Sequence, residues 1–277
     1  MIKIFITDLD GTLIHKPKNH IEPNLENKLA IKKLVENNIK FGIATGRAED
    51  SIREVEKKLS VSAYKIGVNG ATISDVDNNL IYKGYFEKEN AEKILKGLEE
   101  EFRKDLYYYV LMTDKSKNYF RSFSYIGSFI NLFYRKRYKT EYLKKLHIEN
   151  LMNCEEKLMK INLGVNKEKK YKLAEIMEKS LRAEICITSP RSIEIGPKNN
   201  TKGTAILKLM EILNLNKSEV AFIGDSYNDL SAFEVCDHSF VMSHADKNLK
   251  RKAKYEVRCV SEAVEKVLGM NTMTESK

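Results

Sequence analysis

Cysteine is scarce in this chain of 277 residues, with four in all: Cys154, Cys186, Cys236 and Cys259. They are widely scattered, form no Cys-x-x-Cys pair and have no histidine at zinc-ligand spacing. That excludes a disulfide scaffold and reads as reduced thiols, mostly core filler, in a reducing compartment. Four prolines and thirteen glycines are too few for a collagen-like or Pro/Gly-rich disordered chain. Long apolar runs are missing too, since none approaches the roughly 20 residues of a transmembrane helix. The opening run from Met1 to Ile6 is cut short by Asp8 and Asp10, too early for a signal-peptide core. The expectation is a cytoplasmic protein with no membrane partner.

Apolar residues make up 42% of the chain and charged residues 31%, enough for a core beneath a solvated surface. The length suits one large or two modest domains. The net charge of +9 fits nucleic acid, acidic membranes or anionic small substrates, and equally a Lys-rich solvated surface.

Residues 2–7 form a short apolar run rich in Ile, read as a buried strand. Leu25, Leu29, Leu34 and Val35 mark a helix, and residues 39–45 a second buried strand broken by Gly46. Strand, helix, strand argues for a parallel α/β sheet. Asn69-Gly70 lies between two small apolar runs and reads as a tight type I′ hairpin turn with no further role. Residues 204–213 read as a helix, 220–223 as a buried strand, 263–268 as a short final helix, and 271–277 as a frayed tail.

Four polar clusters punctuate this pattern, three of them directly after a buried strand. They are Asp8-Leu9-Asp10-Gly11-Thr12, Thr45-Gly46-Arg47, Thr201-Lys202-Gly203 and Gly224-Asp225-Ser226-Tyr227-Asn228-Asp229. Open α/β sheets bind ligands at the carboxyl ends of their strands, so the fold alone would gather these clusters in one crevice. Asp8, Asp10, Asp225 and Asp229 would then crowd four carboxylates together, a conflict that a divalent cation removes. An all-oxygen set of this kind suits Mg²⁺. Thr45 and Lys202 are donors that suit an anion with several oxygens. Cation, donors and a carboxylate together are the equipment of phosphoryl transfer.

Asp8-x-Asp10-Gly11-Thr12-Leu13, Thr45-Gly46-Arg47, Lys202-Gly203 and Gly224-Asp225-x-x-Asn228-Asp229 resemble the four motifs of the haloacid dehalogenase-like phosphohydrolases. Asn69-Gly70-Ala71 and Glu194-Ile195-Gly196-Pro197 resemble the Cof-like branch, subfamily IIB. The run Asn199-Asn200-Thr201 departs from the branch's frequent Gly-Val-x before the lysine. The resemblance implies a Rossmann-like parallel sheet core with helices on both faces and an inserted α/β cap domain. It implies Asp8 as nucleophile, Asp10 as general acid and base, and Mg²⁺ held by Asp8, the Asp10 carbonyl and Asp225, with Asp229 or Asn228 completing or bracing the set. Thr45 and Lys202 would hold phosphate oxygens, beside Asn228, Gly46 and Arg47.

The stretch from Thr45 to Lys202 is several times longer than the roughly 30 residues of one β-α-β step, so something is inserted. The expected core is 1–83 and 189–277, the cap 84–188. A basic, aromatic tract at 107–142 falls in that cap; it reads first as ordinary cap sheet and helix surface, with a pocket for a phosphorylated ring or sugar, or nucleic-acid binding by stacking and phosphate contacts, as alternatives. The expected activity is Mg²⁺-dependent hydrolysis of a small phosphorylated metabolite, with a phosphomutase or a basic nucleic-acid binder as alternatives. The partners would exclude nucleic acid, and the chain would be a monomer or weak homodimer.

Overall fold

The computed structural model describes residues 1–14, 22–115, 117–138, 140–143 and 156–275. Cys154 and Lys139 lie outside these. The chain divides into two compact units, Met1–Lys83 with Thr201–Lys277, and Gly84–Asn200.

In the first unit, eight strands form one sheet among the described residues. In chain order they are β1 (Ile4–Thr7), β2 (Lys40–Ala44), β3 (Tyr64–Gly67), β4 (Thr72–Ser74), β5 (Leu80–Lys83), β12 (Val220–Gly224), β13 (His238–Met242) and β14 (Tyr255–Val257). Their spatial order is β14-β13-β12-β1-β2-β3-β4-β5. The six strands from β14 to β3 run parallel, and β4 and β5 add an antiparallel edge. β1 and β12 are buried along their whole length, which explains their apolar sequence; Thr7, the last residue of β1, is the polar exception, and its hydroxyl donates to the Asp8 carbonyl.

Helices cover both faces. α1 (Leu25–Glu36), α2 (Glu49–Leu59) and the last helix, α9 (Val260–Glu275), contribute to one apolar cluster. α6 (Lys202–Leu213) and α7 (Leu230–Val235) contribute to the other. α1 forms where its leucines mark it, but its inward face is Asn27, Ala30, Ile31 and Leu34, leaving Leu25 and Leu29 exposed. A buried asparagine sets that rotation, because the Asn27 side chain donates to the Leu13 carbonyl and accepts from the Ser261 amide. The expected frayed tail is helical through Glu275. Asn271 anchors it by accepting from the Ile2 amide and donating to the Ile2 carbonyl, at 2.6 and 2.8 Å.

The second unit carries its own sheet of β6 (Leu106–Thr113), β7 (Asn118–Ser122), β8 (Glu141–Tyr142), β9 (Leu158–Val165), β10 (Ala183–Ser189) and β11 (Ser192–Pro197), ordered β10-β11-β9-β6-β7-β8. α3 (Lys88–Glu100) and α5 (Lys170–Ser180) pack on one face around Tyr109, Leu111, Ile161 and Leu163. α4 (Tyr125–Tyr138) packs near Tyr108, Val110 and Phe120. The sequence placed the return to the first unit at residue 189. The second unit instead continues to Asn200, because β11 hydrogen-bonds to both β9 and β10.

Within this unit Glu99 is buried and takes two hydrogen bonds from Arg121 and one from the Tyr109 hydroxyl. Burial pushes the Glu99 carboxyl up, but those bonds prevail and hold it below its ordinary value. An acid held low when folded contributes stability at neutral pH that is lost as pH falls through its folded value. Glu99→Gln is therefore expected to shallow the acid limb of stability below about pH 4.5, read by urea unfolding across a pH series.

Candidate active site

The loop after β1 turns sharply while staying in register with the sheet. The Asp8 amide donates to the Ile223 carbonyl on β12, and the Leu13 and Ile14 amides return to Asp8 and Leu9. Gly11 has φ +91°, and a Cβ there would lie 2.3 Å from Asp225 Oδ2. Only glycine lets the first acidic loop approach the one after β12 so closely.

Lys202 is the first residue of α6, placed by its N-cap Thr201, whose hydroxyl accepts from the Thr204 amide. Its fully buried ammonium donates to Asp8 Oδ1 and Asp229 Oδ1, each at 2.6 Å. Asp229 turns its other oxygen to the Asp225 and Ser226 amides, both at 2.9 Å. Asp225 accepts from the Thr12 hydroxyl at 3.0 Å through Oδ1, and His244 Nε2 lies 3.3 Å from Oδ2. Asp8, Asp225 and Asp229 thus bring ligand atoms within 4.8 Å of one another.

One ammonium faces three carboxylates. Burial, reinforced by Asp229 and Asp225, pushes the Asp8 carboxyl up to about 8 despite Lys202 beside it. Burial, with Asp229, also raises Asp225. Burial opposes the charge on Lys202, but Asp229 and Asp8 outweigh it and hold the ammonium above its ordinary value. Three carboxylates crowded in this way could hold a divalent cation, whose charge would relieve their repulsion.

The Thr45-Gly46-Arg47 segment joins the same region. Arg47 forks onto Asp10, Nε to Oδ2 at 2.8 Å and Nη2 to Oδ1. The Thr45 hydroxyl accepts from the Arg47 amide at 3.2 Å. Gly46 abuts Asn69, where a Cβ would lie 3.0 Å from Asn69 Oδ1.

Asn69 was read as part of a plain two-residue turn. The link from Gly67 to Thr72 is longer, a 3-10 turn over Val68–Gly70 with Val68 and Asn69 both at positive φ. The Val68 amide donates to the Arg47 carbonyl and the Asn69 amide to the Thr45 carbonyl, each at 2.9 Å. Asn228 donates its amide hydrogen to Asn69 Oδ1 at 3.1 Å, while its own buried Oδ1 has no hydrogen-bond partner among the described residues. A left-handed conformation is sterically costly for the β-branched Val68. Gly70, at φ +106°, sits where a Cβ would meet the Thr201 carbonyl at 2.2 Å. Gly70→Ala is expected to cost about 1–3 kcal/mol from backbone strain and that clash, measured by chemical unfolding.

The residues singled out in sequence therefore lie on loops of one unit joined by hydrogen bonds: Asp8 and Asp10 after β1, Thr45, Gly46 and Arg47 after β2, Lys202 opening α6, and Asp225, Asn228 and Asp229 after β12. Thr12, which stands in the first motif without an assigned role, and His244, which lies outside all four motifs, both reach Asp225.

The family model described as haloacid dehalogenase-like hydrolase matches residues 5–268. The chain belongs to the haloacid dehalogenase-like hydrolases. Among curated relatives, the 5-amino-6-(5-phospho-D-ribitylamino)uracil phosphatase YwtE of Bacillus subtilis is 28% identical, with 92% of each chain covered. Others are named simply as phosphatases. A solved haloacid dehalogenase-like hydrolase from B. subtilis shares the fold, with TM-score 0.77, 24% identity and 94% and 96% of the two chains covered. The subclass IIB sugar phosphatase BT4131 does so at TM-score 0.77, 18% identity and 97% and 99% coverage. The resemblance carried by the four motifs holds, and this haloacid dehalogenase-like hydrolase is a phosphatase. Among its described residues no helix is long and apolar enough to cross a membrane.

Proposed function

We propose that this phosphatase hydrolyses small phosphate monoesters through an aspartyl-phosphate on Asp8 and requires Mg²⁺. The observation that supports it most is the Lys202 ammonium bridging Asp8 and Asp229 beside Asp225. Asp8 attacks phosphorus in line, the P–O bond to the leaving alkoxide breaks, and Asp10 gives that alkoxide a proton. Asp10 then takes a proton from the water that attacks phosphorus; the P–O bond to Asp8 breaks, which frees phosphate and restores the Asp8 carboxylate. Lys202, with the Thr45 hydroxyl, stabilises the non-bridging oxygens. In the free enzyme Lys202 is neutralised by the groups it will serve, and Arg47 occupies Asp10. Substrate phosphate offers both cations a competing partner, which releases Asp10 for proton transfer.

The acidic set fits a Mg²⁺ ion, with Asp8 and Asp225 as side-chain ligands and the Asp10 carbonyl as a third. When bound, such an ion supplies positive charge against the phosphate and carboxylates. Both oxygens of Asp229 are already engaged by Lys202 and two amides, so we assign it to bracing rather than ligation. Gly46 gives Asn69 room, and Asn228 orients it. The first unit serves as catalytic core, and the second, Gly84–Asn200, as the cap domain that selects substrate.

A panel of phosphorylated metabolites tests this, with released phosphate as the readout. The ester in the name of YwtE, 5-amino-6-(5-phospho-D-ribitylamino)uracil, is the first to try. EDTA is expected to abolish turnover and Mg²⁺ to restore it; turnover unaffected by EDTA would contradict the metal assignment. Phosphoryl transfer to a second hydroxyl without phosphate release would mark a phosphomutase instead.

A further inference from the structure

α4 is built inside out for a helix at a protein surface. It buries Gly127 and Asn131 and exposes Tyr125, Ile126, Phe129, Leu132 and Phe133, at 97, 55, 62, 62 and 63%. These five fall at i, i+1, i+4, i+7 and i+8, one continuous strip along the helix. Its rotation is fixed from beneath. Tyr134 packs on Tyr108 and Phe120 at ring separations of 5.8 and 5.5 Å, and Ile130 joins the same cluster. Gly127 lies so close to the sheet that a Cβ would meet the Tyr107 carbonyl at 2.2 Å. Turning the aromatic strip inward would drive larger side chains into that contact.

Charge distinguishes the possible occupants of this strip. α4 contains no acidic residue, and Lys136 continues the apolar strip at its carboxyl end, with Arg135 beside it. Arg135 and Lys136 are exposed. A second copy of the chain would bring the same cations to the contact. The strip is also small: 14 residues give a helix roughly 21 Å long. A strip that long and roughly 10 Å wide offers on the order of 200 Å², far below the roughly 800 Å² per partner of a stable protein interface. A lipid surface needs neither shape complementarity nor that area. Aromatic and aliphatic side chains on one face with cations beside them are what partition into the headgroup region of an acidic bilayer.

We propose that α4 is a membrane-surface element, whose apolar strip enters the interfacial layer of an anionic phospholipid bilayer while Arg135 and Lys136 engage headgroup phosphates. The sequence-based expectation of no membrane partner rested on the lack of a long apolar run, which bears on spanning a bilayer and not on lying at its surface.

The test is cosedimentation of the full chain with vesicles of phosphatidylcholine containing about one third phosphatidylglycerol, against phosphatidylcholine alone. The protein is expected to sediment with the anionic vesicles, to bind the neutral ones at least about tenfold more weakly, and to be released by high salt. Phe129→Glu with Phe133→Glu is expected to weaken binding about tenfold or more at unchanged melting temperature, since both side chains are already in water. Lys136→Glu alone is expected to lower anionic binding severalfold. Failure to bind anionic vesicles, or unchanged binding by the phenylalanine double variant, overturns the proposal. So does a dimer in solution that the double variant splits, which would assign the strip to a second copy.

Discussion

Asp8→Asn is expected to lower phosphate release by about a thousandfold or more while leaving the fold intact. An amide oxygen cannot displace an alkoxide from phosphorus to form a stable acyl phosphate, so the route through a covalent intermediate closes. The fold should tolerate the change because burial already works against the charge on Asp8, and the amide oxygen still accepts from Lys202 in the same volume. Of the three carboxylates around Lys202, Asp229 remains as its counter-charge. The two readouts separate the explanations. Lost turnover with an unchanged melting temperature supports Asp8 as nucleophile, and retained turnover in a folded variant refutes it. A variant that unfolds would show that Asp8 is first a structural counter-ion, a result the surplus of acid argues against.

The parts of this site that were legible in sequence share one cause. A strand buried on both faces is mostly apolar, so a polar cluster directly after it marks where the chain leaves the sheet; Asp8, Thr45 and Asp225 all stand at such exits. Lys202 follows an N-cap threonine, a signal that local hydrogen bonding imposes on sequence. What was misread depended on contacts between distant segments. The α1 leucines suggest one inward face, yet the helix is turned by Asn27, whose partners Leu13 and Ser261 are invisible to periodicity. Asn69 looks like turn chemistry because its partners, the Thr45 carbonyl and the Asn228 amide, come from two other loops. The far end of the second unit was placed early for a similar reason: β11 is apolar enough for either sheet, and only its pairing with β9 and β10 assigns it.

Lys202→Met is expected to cost both activity and stability, and its stability loss is expected to depend on pH in a way that identifies the cause. Methionine fills a similar volume but leaves Asp229, wholly buried, and Asp8 without their shared cation. Removing one partner of a buried ion pair costs about 3–5 kcal/mol, because the surviving charge stays out of water. Burial and mutual repulsion already raise Asp8 and Asp225 with the lysine present, and without it the remaining acids are pushed further in the same direction. An acid whose folded pKa lies above its unfolded one penalises the folded state once pH exceeds the unfolded value, and the penalty fades as pH falls and the folded carboxyl takes up its proton. The deficit of Lys202→Met against the parent protein should therefore be largest above neutral pH and shrink toward pH 5. Urea unfolding at several pH values measures it. A deficit that is constant with pH would point to lost packing instead. Added Mg²⁺ should recover part of the stability in the variant by supplying the missing positive charge, while turnover stays low because the donor to the phosphate oxygens is gone.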